Sequence, residues 1–166
     1  MLGVIGIEGR GECDRLIAAV AGRLTGMGWP LAGVIQVNTV FDPGRPCHMD
    51  LLVLDGTAQV RISQDLGPMA RGCRLDAGGL AQAAGLVEAA LAAGPRLLIV
   101  NKFGKEEAEG RGFRPVIGEA LARDVPVLTA VGPRNRPAFD AFAQGLAEDL
   151  PPDADAVIRW CEGMAC

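Results

Sequence analysis

A short apolar segment followed by closely spaced glycines opens the chain and limits what it can fold into. Residues 2–13 read Leu-Gly-Val-Ile-Gly-Ile-Glu-Gly-Arg-Gly-Glu-Cys, and a helical pattern follows them. This order predicts a strand, a turn containing Gly6, Gly9, Arg10 and Gly11, and a helix. Backbone N–H groups in such a turn can surround a phosphate at the N-terminus of the helix. The segment therefore predicts an anion-binding turn.

The side chains that would perform nucleotide chemistry in this turn are replaced. A phosphate loop carries Lys and then Ser or Thr, which contact the β- and γ-phosphates and Mg²⁺. Glu12 and Cys13 occupy those two positions here. A carboxylate repels a polyphosphate, and a thiol is a poor ligand for Mg²⁺. We therefore expect an oxyanion or a nucleotide to bind without Mg²⁺ and without hydrolysis.

A second apolar run, residues 97–100, ends in Asn101 and Lys102. In a nucleotide hydrolase the corresponding strand ends in acidic residues, one of which holds Mg²⁺. If the two strands lie side by side, Glu12 and Lys102 form an ion pair that fills part of the nucleotide site. The alternative is that both are solvated loop charges.

Several glycine- and arginine-rich loops are expected to meet at the carboxyl edge of the sheet, where open α/β folds bind ligands. The alternative is that their cations pair with nearby carboxylates in a surface network. The residues predicted to bind an anion or a nucleotide are Gly6, Gly9, Arg10, Gly11, Glu12, Cys13, Arg71, Cys73, Arg74, Asn101, Lys102, Lys105, Arg111 and Arg134.

A metal site is a weaker hypothesis. The single histidine, His48, follows Cys47, and Cys73 is the one further thiol that fits the pattern. A metal site needs three or four ligands. Buried, unreactive thiols are the alternative.

Composition limits the class of protein. The 166 residues are 49% hydrophobic and 22% charged, which is typical of a globular domain. A net charge of −4 argues against nucleic acid as a partner, and no apolar run reaches the roughly 20 residues of a membrane span. Five cysteines, an odd number, and the lack of a recognisable signal peptide favour the reducing cytoplasm.

Apolar runs alternate with helical patterns, which is typical of a mostly parallel sheet with helices on both faces. Residues 50–63 predict an inserted β-hairpin that turns at Asp55-Gly56. We expect one α/β domain over residues 1–150 and a C-terminal appendage over 151–166. Predicted strands span 2–7, 31–37, 51–54, 60–63, 96–101 and 125–131, and predicted helices span 12–27, 79–92, 113–123, 138–148 and 155–161.

Two resemblances follow from these motifs. The glycine turn, the hairpin, the apolar strand before Gly104-Lys105 and the late strand Val125-Pro126-Val127-Leu128 resemble phosphate-loop nucleoside triphosphatases related to nucleotide kinases. That resemblance implies a phosphate-loop NTPase-like α/β fold. The chain departs from it at Glu12, Cys13, Asn101 and Lys102.

A closer resemblance covers nearly the whole chain. The strings Ile62-Ser-Gln-Asp65, Gly72-Cys-Arg-Leu-Asp76 and residues 100–112 are similar to the bacterial family called domain of unknown function 2478. This resemblance implies an α/β protein without a settled activity, often associated with molybdate transport and molybdenum-enzyme loci. It supplies no catalytic residues.

Three functions remain as hypotheses. The first is a non-hydrolysing protein that binds molybdate, tungstate, phosphate or a nucleotide, in molybdenum handling. The second is a nucleoside triphosphatase or kinase-like enzyme whose Mg²⁺ is held by Asp14, Asp65, Glu106 or Glu107. The third is a regulatory or scaffold protein with a vestigial site. The partners considered are a small anion, a second copy of the chain and a molybdenum-pathway protein.

Overall fold

A seven-stranded sheet organises the chain, in the order β4-β3-β2-β5-β6-β1-β7. The computed structural model describes residues 1–9, 11–40, 47–67 and 74–164. The strands are β1 (Leu2–Gly6), β2 (Leu31–Thr39), β3 (His48–Val53), β4 (Gln59–Arg61), β5 (Leu97–Phe103), β6 (Val127–Val131) and β7 (Ala147–Leu150).

Helices cover both faces of the sheet. The apolar sides of α1 and α6 pack on one face, and those of α2, α4 and α5 pack on the other. The predicted α/β architecture is therefore confirmed. The helices are α1 (Glu12–Gly26), α2 (Ala77–Leu91), α3 (Lys105–Ala108), α4 (Arg114–Ala122), α5 (Arg136–Ala143) and α6 (Ala154–Gly163), with a 3₁₀ helix at Pro133–Asn135.

Six strands run in the same direction, and β3 alone runs in the opposite one. β1 is parallel to β6 and β7, and β5 is parallel to β2 and β6. β3 is antiparallel to both β2 and β4. The predicted hairpin is the β3–β4 pair, and its turn contains Gly56 with φ of 76°. The carboxyl ends of β1, β2, β5, β6 and β7 consequently lie at one edge of the sheet.

The strand order corrects one expectation. β6 lies between β1 and β5, so the strands that precede Glu12 and Lys102 are not side by side. Both strands still end at the carboxyl edge, where their loops can reach a common ligand.

The seventh strand was not predicted. We expected a helix over residues 138–148, but α5 ends at Ala143 because Gln144 and Gly145 adopt φ of 48° and 81°. The chain then forms β7, in which Leu2 of β1 pairs with Ala147. Pairing with β1 outweighs the helical propensity of the Leu-Ala-Glu sequence.

The C-terminal segment contributes to the core. Val157, Ile158 and Cys161 of α6 are buried in the same cluster as Ile17 and Val20 of α1. A domain boundary at Pro151-Pro152 remains a prediction. No helix in the described ranges is long and apolar enough to cross a membrane.

Candidate functional site

The turn between β1 and α1 contains a glycine in a conformation that other residues rarely adopt. Gly11 has φ of 77°, a left-handed conformation that favours glycine, and no side chain caps the first turn of α1. The exposed Glu12 side chain folds back over the turn: a Cβ built on Gly9 would lie 2.8 Å from Glu12 Oε2. The chain's own carboxylate therefore lies beside Gly9 in this turn.

Cys13 is a buried, neutral thiol. Its side chain is only 3% exposed, and its Sγ–H donates to the backbone oxygen of Asn101 at 3.6 Å. Burial, with a smaller contribution from the charge of Asp14, raises the pKa of Cys13 to about 12. The thiolate that would be needed for metal binding or nucleophilic attack is therefore strongly disfavoured near neutral pH.

Asn101 connects α1 to the middle of the sheet. Its Oδ1 accepts a hydrogen bond from the backbone N–H of Gln36 at 3.0 Å, and this donor fixes which way the amide points. Its Nδ2 therefore faces Asp14, to which it donates at 2.8 Å. Asn38 of β2 donates to the second oxygen of Asp14 at 2.7 Å. We call Cys13, Asp14, Asn38 and Asn101 the amide network.

The amide network does not fit Mg²⁺. The thiol and both amide groups present N–H or S–H donors where a metal requires oxygen acceptors. The described ranges also contain no group of three or more His, Cys, Asp or Glu side chains that could hold a metal. The carboxylates considered as displaced ligands have other partners. Asp65 accepts from Gly67 N, Glu106 from Arg111, and Glu107 from Gly104 N and Phe113 N.

A cavity of about 650 Å³ opens beside the glycine turn. The guanidinium of Arg136 lies at this cavity but already donates to Asp140 and, through two bonds, to Asp149. Glu8 and Glu12 add negative charge to the wall. The cavity is lined by Gly6, Ile7, Glu8, Glu12, Cys13, Leu16, Val131, Gly132, Pro133, Arg136 and Pro152.

Three of the predicted anion-binding cations have partners within the chain. Arg111 forms ion pairs with Glu106 and Glu109, and Lys105 lies 3.8 Å from Glu109. Arg74 donates to the backbone oxygens of Cys47 and Gln64. The ion pairs of Arg111 and Lys105 match the surface network that we considered as the alternative, whereas Arg74 contacts backbone oxygens and no carboxylate among these contacts.

Other predicted cations are placed differently. Lys102 and Arg134 are exposed at the carboxyl edge: Lys102 lies near the end of β5, at the irregularity in its pairing with β6, and Arg134 follows β6. The described ion pairs include neither residue. Three predicted site residues, Arg10, Arg71 and Cys73, lie outside the described residues.

The proposed Glu12–Lys102 ion pair is not among the described contacts, so that prediction is wrong for this structure. One strand separates the two segments, and Glu12 lies against Gly9 instead. Lys102 lies at a second cavity, which is also lined by Asn101 and Lys105. Asn101 is the residue that links the two regions, because its backbone oxygen contacts Cys13.

The weaker metal hypothesis gains no support from the described part. His48 Nδ1 lies 2.9 Å from Nη1 of Arg61, and Arg61 also forms an ion pair with the buried Asp50. Cys47 is half-buried. The third candidate ligand, Cys73, is outside the described residues, so the hypothesis remains a prediction.

Sequence reasoning missed Gln36 and Asn38. Both lie in the second half of β2, where the apolar residues Ala32 and Val34 give way to polar ones. A run of alternating polar side chains at the carboxyl end of a central strand is the signal that could have indicated them.

Comparison with known sequences decides the family. The sequence model of the family described as "Protein of unknown function (DUF2478)" matches residues 2–160. The chain belongs to this family.

The DUF2478 chain is also similar to one curated protein and one solved structure. Molybdenum import ATP-binding protein ModC 2 of Bradyrhizobium diazoefficiens is 35% identical over 149 residues, which are 90% of this chain but only 17% of that protein. The crystal structure of THEP1 from the hyperthermophile Aquifex aeolicus superposes with a TM-score of 0.70 at 13% identity, covering 99% of this chain and 96% of that one. The fold is therefore of the phosphate-loop NTPase type.

Proposed function

We propose that this DUF2478 protein binds a small anion at the turn between β1 and α1 and does not hydrolyse it. The ligand is either a tetrahedral oxyanion such as molybdate or the phosphate chain of a nucleotide. Its contacts are backbone N–H groups of Gly9, Gly11, Glu12 and Cys13, with help from cations at the carboxyl edge.

One observation supports the proposal: the turn before α1 has a glycine in a left-handed conformation, whereas Cys13 and Asn101, at the motif positions for Mg²⁺, contact other protein groups. Gly11 retains the left-handed conformation, and no side chain caps the first turn of α1. Backbone N–H groups and the helix dipole favour an anion at such a position. We place the amide network at the Mg²⁺ position, and every polar side chain in it already has a partner.

The link to molybdenum rests on the curated relative alone. A segment of a molybdenum import ATP-binding protein is 35% identical to this chain. Molybdate and phosphate are both tetrahedral oxyanions, so a turn that surrounds one can accept the other. We therefore place this protein in molybdate handling, either as a sensor of molybdate or as a nucleotide-binding module.

The test uses the position of Glu12. Glu12→Lys replaces a repulsive carboxylate by the lysine of a working loop, and Glu88→Lys on the exposed face of α2 makes the same change of net charge elsewhere. Calorimetry titrates molybdate, sulfate, phosphate and ATP into wild type and both variants. Because a hydrogen bond to a charged group contributes roughly 1.5–3 kcal/mol, Glu12→Lys should bind ATP or an oxyanion at least tenfold more tightly.

Glu88→Lys should bind like wild type. Equal gains in the two variants would mean that only overall charge matters, and the turn would not be the site. If no anion binds to any of the three proteins, the proposal fails.

The scaffold function is the second candidate, and one observation favours it. Arg74, Lys105, Arg111 and Arg136 all have partners in the chain, and Glu8 and Glu12 make the large cavity negative. If the folded protein binds none of the titrated anions, that result would favour a scaffold function.

A further inference from the structure

A second cavity, of about 110 Å³, lies where β2 and β5 approach the loop before α3. Its apolar wall belongs to the core cluster under α2 and α4, whereas Cys13 at the glycine turn belongs to the cluster on the other face. The two cavities are thus different sites. The apolar lining consists of Val34, Leu51, Ile62, Leu75, Leu80, Val100 and Phe113.

The polar side of this cavity contains every lysine of the chain. Of the 16 lysines and arginines, only Lys102 and Lys105 are lysines, and both line this one cavity. A lysine offers a compact charge on a flexible apolar stem, which suits the mouth of an apolar cavity. Lys102 and Lys105 share the charged part of the lining with Glu106 and Glu107.

The carboxylates beside the cavity are occupied. Glu106 is paired with Arg111 at 2.7 Å. Glu107 is 3% exposed, and its two oxygens accept from Gly104 N and Phe113 N, each at 2.9 Å. Lys105 lies within 3.8 Å of Glu109. Lys102 is therefore the charge at this mouth that has no ion-pair partner among the described residues.

Size restricts what could enter. An apolar cavity of about 150 Å³ accommodates a benzene ring, so the space here suits a smaller branched hydrocarbon group. Gln36 and Asn101 add amide groups at the same end, although the Asn101 side chain is already engaged by Gln36 N and Asp14. An apolar group inside and a negative group at the mouth would satisfy both parts of the lining.

We propose that this second cavity binds a short branched-chain carboxylate, with its alkyl group among the apolar side chains and its carboxylate against Lys102. This binding does not depend on an anion at the glycine turn. Because so small an alkyl group buries little apolar area, we expect a dissociation constant in the millimolar range.

The lysines themselves provide the first readout. The α-amino group, Lys102 and Lys105 are the primary amines of the chain, so a small acylating reagent followed by peptide mass spectrometry reports on each. Isovalerate is titrated at constant ionic strength, and neutral isovaleramide of the same shape is the control. Isovalerate should slow acylation of Lys102 by about tenfold at ten times its dissociation constant, while the α-amino group reacts at an unchanged rate.

Ligand-observed NMR provides the second readout and uses variants. Lys102→Met should weaken isovalerate binding at least tenfold, and Lys105→Met should change it by no more than about threefold. Val100→Ile adds one methylene to the lining and should also weaken binding. Far-UV circular dichroism checks that each variant is folded.

Three results would overturn the inference. One is the absence of protection at Lys102 throughout the millimolar range. Another is equal protection by isovaleramide, which would remove the role of the charge. The third is unchanged binding in Lys102→Met. The anion-binding proposal is tested through Glu12→Lys at the glycine turn, so failure at Lys102 is distinguishable from failure of that proposal.

Discussion

Glu107 provides a sharp test of how the loop between β5 and α4 is held. Its buried carboxylate accepts from the backbone N–H groups of Gly104 and Phe113, each at 2.9 Å. Glu107→Ala removes both acceptors and leaves two N–H groups in a poorly hydrated place. Each unsatisfied group costs about 1–3 kcal/mol.

The alanine variant no longer buries a carboxylate, which offsets part of this cost. We therefore expect Glu107→Ala to lose about 2–4 kcal/mol of unfolding free energy. Glu107→Gln should lose less, because its amide oxygen still accepts from one of the two groups. Urea denaturation followed by circular dichroism measures both, with the exposed Glu88→Gln as the control. An Ala variant within about 0.5 kcal/mol of wild type would refute the reasoning.

The pH dependence adds an independent check. Burial raises the pKa of Glu107 above its ordinary value of 4.5. The folded state therefore binds this proton more tightly than the unfolded state, and Glu107 adds stability as the pH falls through the folded-state pKa towards 4.5. The difference between wild type and Glu107→Ala should widen over that interval. A difference that narrows would contradict the assigned burial.

Three further predictions concern other parts of the chain. Hydrogen bonding from Arg61 lowers the pKa of Asp50 below 3.8. Asp50→Asn should therefore cost about 1–3 kcal/mol of unfolding free energy in urea denaturation near neutral pH. The difference from wild type should shrink as the pH falls below 3.8. Gly33→Ala should lose about 4 kcal/mol or more of unfolding free energy or fail to fold, because φ is 120° and the new Cβ would lie 1.8 Å from a backbone oxygen of β5. Gly85→Ala, in open space on α2, should instead stabilise the protein by about 0.5–1 kcal/mol. Thermal melts of the two variants test both expectations. Native Cys13 should be alkylated at least tenfold more slowly than half-buried Cys47 in a peptide-resolved iodoacetamide assay, and equal rates would contradict the buried thiol.

The features that sequence reasoning predicted well are local. Residues 2–13 contain an apolar strand, glycines and a helix start in direct succession, so the order of residues alone defines the turn. The hairpin at Asp55-Gly56 is equally local, because the turn residues determine how its two strands meet.

The features that sequence reasoning missed depend on the order of the strands in the sheet. Asp14, Asn38 and Asn101 are far apart in sequence, and they meet only because β2 pairs with β5 while α1 covers that part of the sheet. The same reason explains the error over Glu12 and Lys102, since nothing local indicates that β6 inserts between β1 and β5. β7 was missed because its pairing with β1 outweighs a helical local pattern.

The cations illustrate a further limit. Arginines in glycine-rich loops were expected to converge on one anion, but Arg111 is 5 residues from Glu106 and forms an ion pair with it. In a loop that contains both acidic and basic residues, the side chains can form ion pairs with one another. Sequence alone does not distinguish that outcome from a ligand site.

Binding of ATP with and without Mg²⁺, measured in one titration series, tests the central claim most directly. On our proposal the amide network fills the Mg²⁺ position, so replacing Mg²⁺ by EDTA should change the dissociation constant by less than about threefold, and the same samples should release no phosphate above background. Tightening of more than tenfold by Mg²⁺, with phosphate release near an ordinary enzyme rate of about 1 s⁻¹, would contradict the account and restore catalysis by displaced carboxylates.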